Sequence, residues 1–307
     1  MLAKLQQALT LGALLAAALW ATLCWRAGHP LAAFLGVALV LGAHAFVLAL
    51  EFLLLACVHQ HDHRSGADPT PPASASQLLR AWWGEVLAAP KVFCWRQPFR
   101  SRSVPDHLPV EAQGRVGVLF VHGFVCNRGL WNDWLRRLVP QQVPFVAVNM
   151  EPVFGRIEDG VATIEAAITA LERCTGRAPV IVAHSMGGLA VRAWAATAPD
   201  GPLRLAHLIT IGTPHRGTWL ARYGMSPNAR QMCVGSAWLA KLEAQESPAL
   251  ASRCTCFFSH ADNIVFPPAS ATLAGAATHH LLAVAHVHMA DAPEPWAALQ
   301  RLLRAPH

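Results

Sequence analysis

Three side chains in the second half of the chain have the types and order needed for nucleophilic acyl chemistry. Ser185 lies in Ala183-His184-Ser185-Met186-Gly187-Gly188, where a strand-like run (179–183) leads in and a helical stretch (186–197) leads out. Positions 183–187 read A-x-S-x-G, one residue from the G-x-S-x-G of a nucleophile elbow. Such a serine occupies a strained turn that exposes its hydroxyl at the carboxyl end of a sheet, and small residues on either side let strand and helix crowd together. Asp262 follows the strand-like run 254–258 in the loop Ser259-His260-Ala261-Asp262-Asn263, and the apolar run LLAVA (281–285) is expected to be a strand delivering His286. In this arrangement His286 takes the serine proton while Asp262 fixes its tautomer and stabilises the imidazolium. His288 is the alternative base, because it would share a strand face with His286; His260, His279 and His280 are also close in sequence.

An oxyanion requires donors from an earlier loop. Val121-His122-Gly123-Phe124 follows the apolar run 116–121, and Gly123 lets the backbone turn its amides toward a substrate. The expected donors are the backbone N–H groups of Phe124 and Met186, with His122 an orienting hydrogen bonder and not the base. The chemistry calls for no metal and no organic cofactor.

These residues need a scaffold that alternates strands and helices. Strand-like runs at 116–121, 144–149, 179–183 and 205–211 are interleaved with helical stretches at 129–139, 158–173 and 186–197. That rhythm predicts a mostly parallel sheet covered by helices on both faces, an α/β domain over 110–307 without internal repeats. The segment 218–250 breaks the alternation and carries Trp219, Leu220, Tyr223, Met225, Met232, Trp238 and Leu239. It is expected to be a cap that keeps water from an apolar substrate, or else a core-packing helix.

The first 60 residues read differently. The chain of 307 residues is 54% hydrophobic and only 14% charged, against about 25% charged in ordinary soluble domains. That apolar-rich composition excludes a plain disordered chain, and a net charge of +6 without a long basic run excludes a nucleic-acid-coating protein while suiting an anionic membrane surface. No charge lies between Lys4 and Arg26 or between Arg26 and Glu51, so residues 5–25 and 31–58 are each long enough to span a bilayer. Gly28-His29-Pro30 reads as the turn of a transmembrane hairpin (1–60). A cleaved signal peptide is the weaker reading, since no A-x-A site follows the first segment. Lys4 on one side and Arg64, Arg80 and Lys91 on the other place both ends of the hairpin, and the α/β domain, in the cytoplasm. His44 and Glu51 share a helical face, either as a polar seam, with Glu51 reaching toward an interface, or as an intramembrane site.

Residues 61–109 are expected to join the two parts. The Pro- and Ser-rich stretch 59–77 reads as a solvated linker, its His-Asp-His cluster lacking the scaffold of a metal site. Residues 78–98 read as a helix stopped by Pro90, lying on a membrane surface or packing on the domain that follows. Of eight cysteines, the Cys254-Thr255-Cys256 pair is expected to be split across two faces of a strand and so to form no disulfide; distant pairings stay open.

With these motifs assembled, the chain over about 112–305 resembles the α/β-hydrolase superfamily, and within it the bacterial triacylglycerol lipases and esterases and the GPI-inositol-deacylase-like proteins. Val121-His122-Gly123-Phe124 looks like the oxyanion-loop HG motif, and Ala183–Gly188 resembles the GHSMGG elbow. Gly212-Thr213-Pro214-His215-Arg216-Gly217 matches the lipase G-T-P-H-x-G segment, and Asp262-Asn263-Ile264-Val265 is similar to the acid loop. Ala183 and Ala285 stand where the family usually has glycine. The resemblance implies a serine hydrolase of carboxylic esters working through an acyl-enzyme, and the hairpin and the apolar 218–250 segment add the expectation of a bacterial inner-membrane enzyme acting on lipid or medium- to long-chain acyl substrates. It also implies a structural role for His215. A tethered short-chain esterase, an acyltransferase or thioesterase on the same triad, and a non-catalytic membrane scaffold are the alternatives. The sequence leaves the oligomeric state undetermined.

Overall fold

In the computed structural model, which describes residues 1–305, the chain begins with two long helices, α1 (Leu2–Arg26) and α2 (Pro30–Arg64). They pack side by side as a hairpin, and Trp20 Nε1 donates to the Ala32 carbonyl across the seam, 3.0 Å away. α2 runs further than the expected 31–58. His59, Asp62 and His63 belong to its last turns and not to a linker, and His59 is buried with its Nε2 3.0 Å from the Thr70 carbonyl. The connection that follows is also anchored: buried Asp68 accepts the Ala269 amide at 2.8 Å.

α3 (Ala75–Pro90) starts at a capping box, in which Ser74 accepts from the Gln77 amide and Gln77 accepts from the Ser74 amide. Pro90 does not stop the helix. The rod continues through a wider π-helical turn (Lys91–Arg96) into α4 (Gln97–Arg100). A proline removes one amide and crowds the preceding turn, and a widened turn accommodates both effects. One face of this rod (Ala81, Glu85, Ala88, Ala89, Val92) is buried, so its packing on the following domain is real. Leu79, Trp83, Leu87 and Trp95 remain exposed on the rod.

The α/β unit contains β1 (Val118–Val121), β2 (Phe145–Ala147), β3 (Val180–His184), β4 (His207–Ile211), β5 (Cys254–Ser259) and β6 (Ala277–Leu281), all parallel, in the order β2-β1-β3-β4-β5-β6. Alternation divides the core. Leu119, Val121, Ile181 and Ala183 pack toward α6 (Val161–Thr175) and α7 (Met186–Thr197). Val118, Phe120, Val180 and Val182 pack toward α5 (Asn132–Leu138) and the C-terminal helix, with Trp131 and Trp134 at the centre. Strands covered on both faces read as unbroken apolar runs, which is why these were visible in the sequence.

The strand expected at 281–285 lies four residues earlier, as β6 at Ala277–Leu281. Its residues Ala277–His280 are exposed, as an edge strand permits, so no apolar alternation marks them. The LLAVA run instead turns, with Ala283 at φ 56°. Cys254 and Cys256 share a face of β5, as residues i and i+2 must, with sulfurs 3.8 Å apart; all eight cysteines are free thiols.

The 218–250 segment forms α8 (Pro227–Gln231), α9 (Ala237–Gln245) and the start of α10 (Pro248–Ser252), and α11 (Pro293–Arg304) closes the chain. Buried Arg192 of α7 ties the segment down through both carboxylate oxygens of Glu246, at 2.6 and 2.7 Å. Replacing Arg192 with Leu strands that carboxylate, and the expected loss is about 3–5 kcal/mol of stability. Urea unfolding of the full-length protein in detergent checks this; an unchanged midpoint contradicts it.

Candidate active site

β1 leads to β2 on one side of the sheet, while β3 opens the run to β4, β5 and β6 on the other. The crevice beyond the carboxyl ends of β1 and β3 is therefore a topological switch point, the place where open α/β sheets hold ligands. His122-Gly123-Phe124 leaves β1 at this crevice and Ser185 leaves β3.

Ser185 has φ 55° and ψ −131°, a conformation costly for a residue with a β-carbon. Several bonds hold it there. Its amide donates to the Ile211 carbonyl at 2.8 Å, and its carbonyl accepts from the Gly188 amide at 3.0 Å and from Thr213 Oγ1 at 2.9 Å. The turn is tight enough to require two glycines. A β-carbon at Gly123 would stand 2.7 Å from Ser185 Cβ, and one at Gly187 would stand 2.6 Å from the His122 carbonyl oxygen.

Asp262 and His286 meet above β5. His286 Nδ1 lies 2.9 Å from Asp262 Oδ2, while Asp262 Oδ1 accepts the amides of Ile264 and Val265 at 2.9 and 2.8 Å. Both residues are buried. Burial pulls the His286 pKa down, but the charge and hydrogen bond of Asp262 outweigh it and leave the ring above its ordinary value. With Nδ1 committed to Asp262, Nε2 is the atom free to take a proton. No hydrogen bond joins it to Ser185 Oγ among the described residues; bonds of this kind commonly tighten only when substrate is bound.

The loop after β1, expected to supply the oxyanion donors, is organised by His122. Its Nε2 accepts the Met150 amide at 3.0 Å, which assigns the ring proton to Nδ1, and Nδ1 donates to the Gly123 carbonyl at 2.9 Å. Burial lowers its pKa to about 4, so the ring is neutral. In a trans peptide the carbonyl and the next N–H point opposite ways. Fixing the Gly123 carbonyl therefore fixes the direction of the Phe124 amide, which donates to no backbone carbonyl among the described residues. Met186 is the first residue of α7, and its amide has no acceptor within the helix.

The other histidines lie elsewhere. His288 starts a short 3-10 turn and not a strand, so it shares no strand face with His286; its ring packs at Gly84 of α3. His215 is buried beside Thr210, its Nε2 3.0 Å from Thr210 Oγ1 and its carbonyl accepting from Arg192. Sequence reasoning passed over His184, whose Nε2 donates to the His286 carbonyl at 3.1 Å and whose ring contacts the His286 ring at 4.7 Å. Burial lowers its pKa to about 3. It also passed over Asn263 as a contact, whose Oδ1 accepts the His286 amide at 3.2 Å. Residues flanking a nucleophile and an acid are the places to seek such supports. A cleft of about 530 Å³ between α7 and α9, lined by Val161, Ala193 and Trp238, contains none of these groups and does not bear on the chemistry.

Glu51, on α2, reaches this site. Its Oε2 accepts from Asn263 Nδ2 at 2.7 Å. Next to it, Phe52 and Leu55 of α2 and Ala81 of α3 form one apolar cluster with Ala261, Phe266 and Ala285, joined by Trp219 and Leu220 of the 218–250 segment.

No protein-family model matches the sequence, and no curated protein sequence does. Solved structures share the fold. Lipase B of Aspergillus fumigatus matches with a TM-score of 0.54 and 20% identity, over 64% of this chain and 55% of that one. The mature form of Bacillus licheniformis lipase BlEst2 matches with a TM-score of 0.55 and 17% identity, over 64% of this chain and 95% of that one. This chain thus spans about half the length of the fungal protein. The likeness is one of fold: the chain has the α/β-hydrolase architecture found in lipases, preceded by two apolar helices.

The two histidines can be separated directly. Replacing His286 with Ala is expected to remove ester turnover, and replacing His288 with Ala is expected to leave most of it, at matched folding. The reverse ranking in a steady-state ester assay contradicts the geometry.

Proposed function

We propose that the chain is a membrane-anchored serine hydrolase that cleaves lipid or medium- to long-chain acyl esters at the bilayer surface. The observation that carries the reading is the strained Ser185 turn, set beside a buried Asp262–His286 pair at the switch point of the sheet. Ser185 Oγ attacks the ester carbonyl as His286 Nε2 takes its proton. The amides of Phe124 and Met186 hold the oxyanion, and His286 returns the proton to the departing alcohol. Water then attacks the acyl-enzyme, again with His286 as base, and releases the acid.

The membrane part of the reading rests on exposure. α1 and α2 are long and apolar enough to cross a bilayer, and Leu9, Leu14, Leu15, Leu19, Phe34 and Leu39 are exposed on them. In water such a surface would be a strong association liability. The start of α1 and the end of α2 are the parts that touch the α/β unit: Gln6 donates to Gln97 Oε1 and the Val125 carbonyl, and Glu51 holds Asn263. The hairpin thus stands at the end of the sheet where Ser185 lies, with its turn pointing away. Leu79, Trp83, Leu87 and Trp95 extend the apolar surface along the α3 rod, where aromatic side chains suit the headgroup layer.

Replacing Ser185 with Ala is expected to lower ester turnover by a factor of order 10⁶ while leaving the protein folded and vesicle-bound; undiminished turnover contradicts the assignment. In an ester series from acetyl to palmitoyl, activity with lipid vesicles is expected to be higher for octanoyl and longer chains than for acetyl. Each methylene buried adds about 0.8 kcal/mol of binding. A steady fall from acetyl onward, with or without vesicles, contradicts a lipid substrate. His286 must be neutral to act, so kcat/KM is expected to rise with pH with a midpoint above the ordinary histidine value of about 6.5. A midpoint well below that value contradicts the coupling to Asp262.

A further inference from the structure

The main chain that carries His286 is held from outside the α/β unit. The His286 amide donates to Asn263 Oδ1 at 3.2 Å, and Asn263 Nδ2 donates to Glu51 Oε2 at 2.7 Å. The next two amides, of Val287 and His288, donate to Glu85 Oε1 and Oε2, each at 3.0 Å. Three consecutive amides therefore end on two carboxylates, one directly and one through Asn263. Glu51 belongs to α2 and Glu85 to α3.

Glu85 is 2% exposed and forms no ion pair with any cation among the described residues. A carboxylate in that setting is costly unless hydrogen bonds compensate, and the two amides are the bonds it has. If α3 served only to cover the domain, an apolar side chain would fill the site at lower cost. Instead the helix places an acceptor for each of the two amides that follow the proposed base. Residues 285–288 have no strand around them, since β6 ends at Leu281, so these side-chain bonds take the place of a ladder.

We propose that α2 and α3 are positioning elements of the reaction, with Glu85, and Glu51 acting through Asn263, holding residues 286–288 so that the His286 ring stays aligned between Asp262 and the serine. The proposal rests on the reading of His286 as the base. It makes the N-terminal helices part of the acid–base machinery as well as an anchor.

The charges around this loop bear on the test. His286 is faced by Asp262 from the β5 loop, by Glu85 from α3, by Glu51 from α2 and by the neutral His184 from β3; Glu85 is faced by His286, Asp262 and the neighbouring His288. Burial lifts the Glu85 pKa to about 7 against the pull of its two amides.

The experiment uses the full-length protein in detergent micelles with a soluble octanoyl ester. Glu85→Leu, which removes both acceptors, is expected to lower kcat by on the order of 10–100-fold with KM changed by no more than about threefold. Glu85→Gln, which keeps one carbonyl acceptor, is expected to recover part of that rate, a rescue that a merely structural loss would not show. Glu51→Leu is expected to lower kcat in the same way. If the folded Glu85→Leu and Glu51→Leu proteins keep wild-type kcat, or if Glu85→Gln recovers none of the rate lost in Glu85→Leu, the proposal is overturned. Should Glu85→Leu not fold, Glu51→Leu decides: a wild-type kcat with unchanged KM overturns the proposal. Ser185→Ala and His286→Ala in the same series keep the two readings apart. Loss of activity in both alongside unaffected glutamate variants overturns the positioning role alone, whereas full activity in His286→Ala overturns the hydrolase reading itself.

Discussion

A serine with a left-handed φ at the end of β3 is the constraint around which the rest is arranged. That conformation costs of order 1–3 kcal/mol at a residue with a β-carbon, so it persists only where the surroundings over-determine it. Here the Ser185 amide is taken by Ile211 of the neighbouring strand and its carbonyl by Gly188 and Thr213. The crowding at Gly123 and Gly187 leaves no room for the turn to relax. The same register that puts His184 opposite Ile211 brings the end of β3 beside the end of β4 and orders the Gly212-Thr213 turn behind the serine. Everything proposed for the chemistry depends on the sheet holding that turn.

The second theme is that the site is assembled from parts far apart in sequence and of different character. The loop after β1 is set by a neutral, buried His122, and the loop that carries His286 by Asp262, Asn263 and His184. Two carboxylates from the N-terminal helices complete the support. The apolar cluster of Phe52, Leu55, Ala81, Phe266 and Ala285 seals this junction and brings in Trp219 of the 218–250 segment. A change in the packing of the hairpin would thus be felt by the loops that carry Asp262 and His286.

Much of this was legible in the sequence because its causes are local. Buried parallel strands are short apolar runs, and α7 was readable from 186 to 197 because the double glycine and the strand before it frame it. β6 was misplaced because an exposed edge strand carries no apolar pattern, whereas the buried turn beside it does. Pro90 read as a stop because a π-helical turn leaves no sequence signal. The end of α2 read as linker because His59 and its neighbours are polar; their partners, Thr70 and the groups near Asp68, become visible only in three dimensions. Glu51 stood out as a charge in an apolar segment, but its partner is 212 residues away, a distance no local pattern spans.

The most direct test of the account is a structure of the full-length protein, in lipid nanodiscs, after reaction with a long-chain alkyl fluorophosphonate. The account predicts phosphorus bonded to Ser185 Oγ and the phosphoryl oxygen within about 2.7–3.1 Å of both the Phe124 and Met186 amides. It also predicts the alkyl chain running toward the base of the α1–α2 hairpin. A protein that does not react, an adduct on another residue, or a phosphoryl oxygen turned away from those two amides would contradict it.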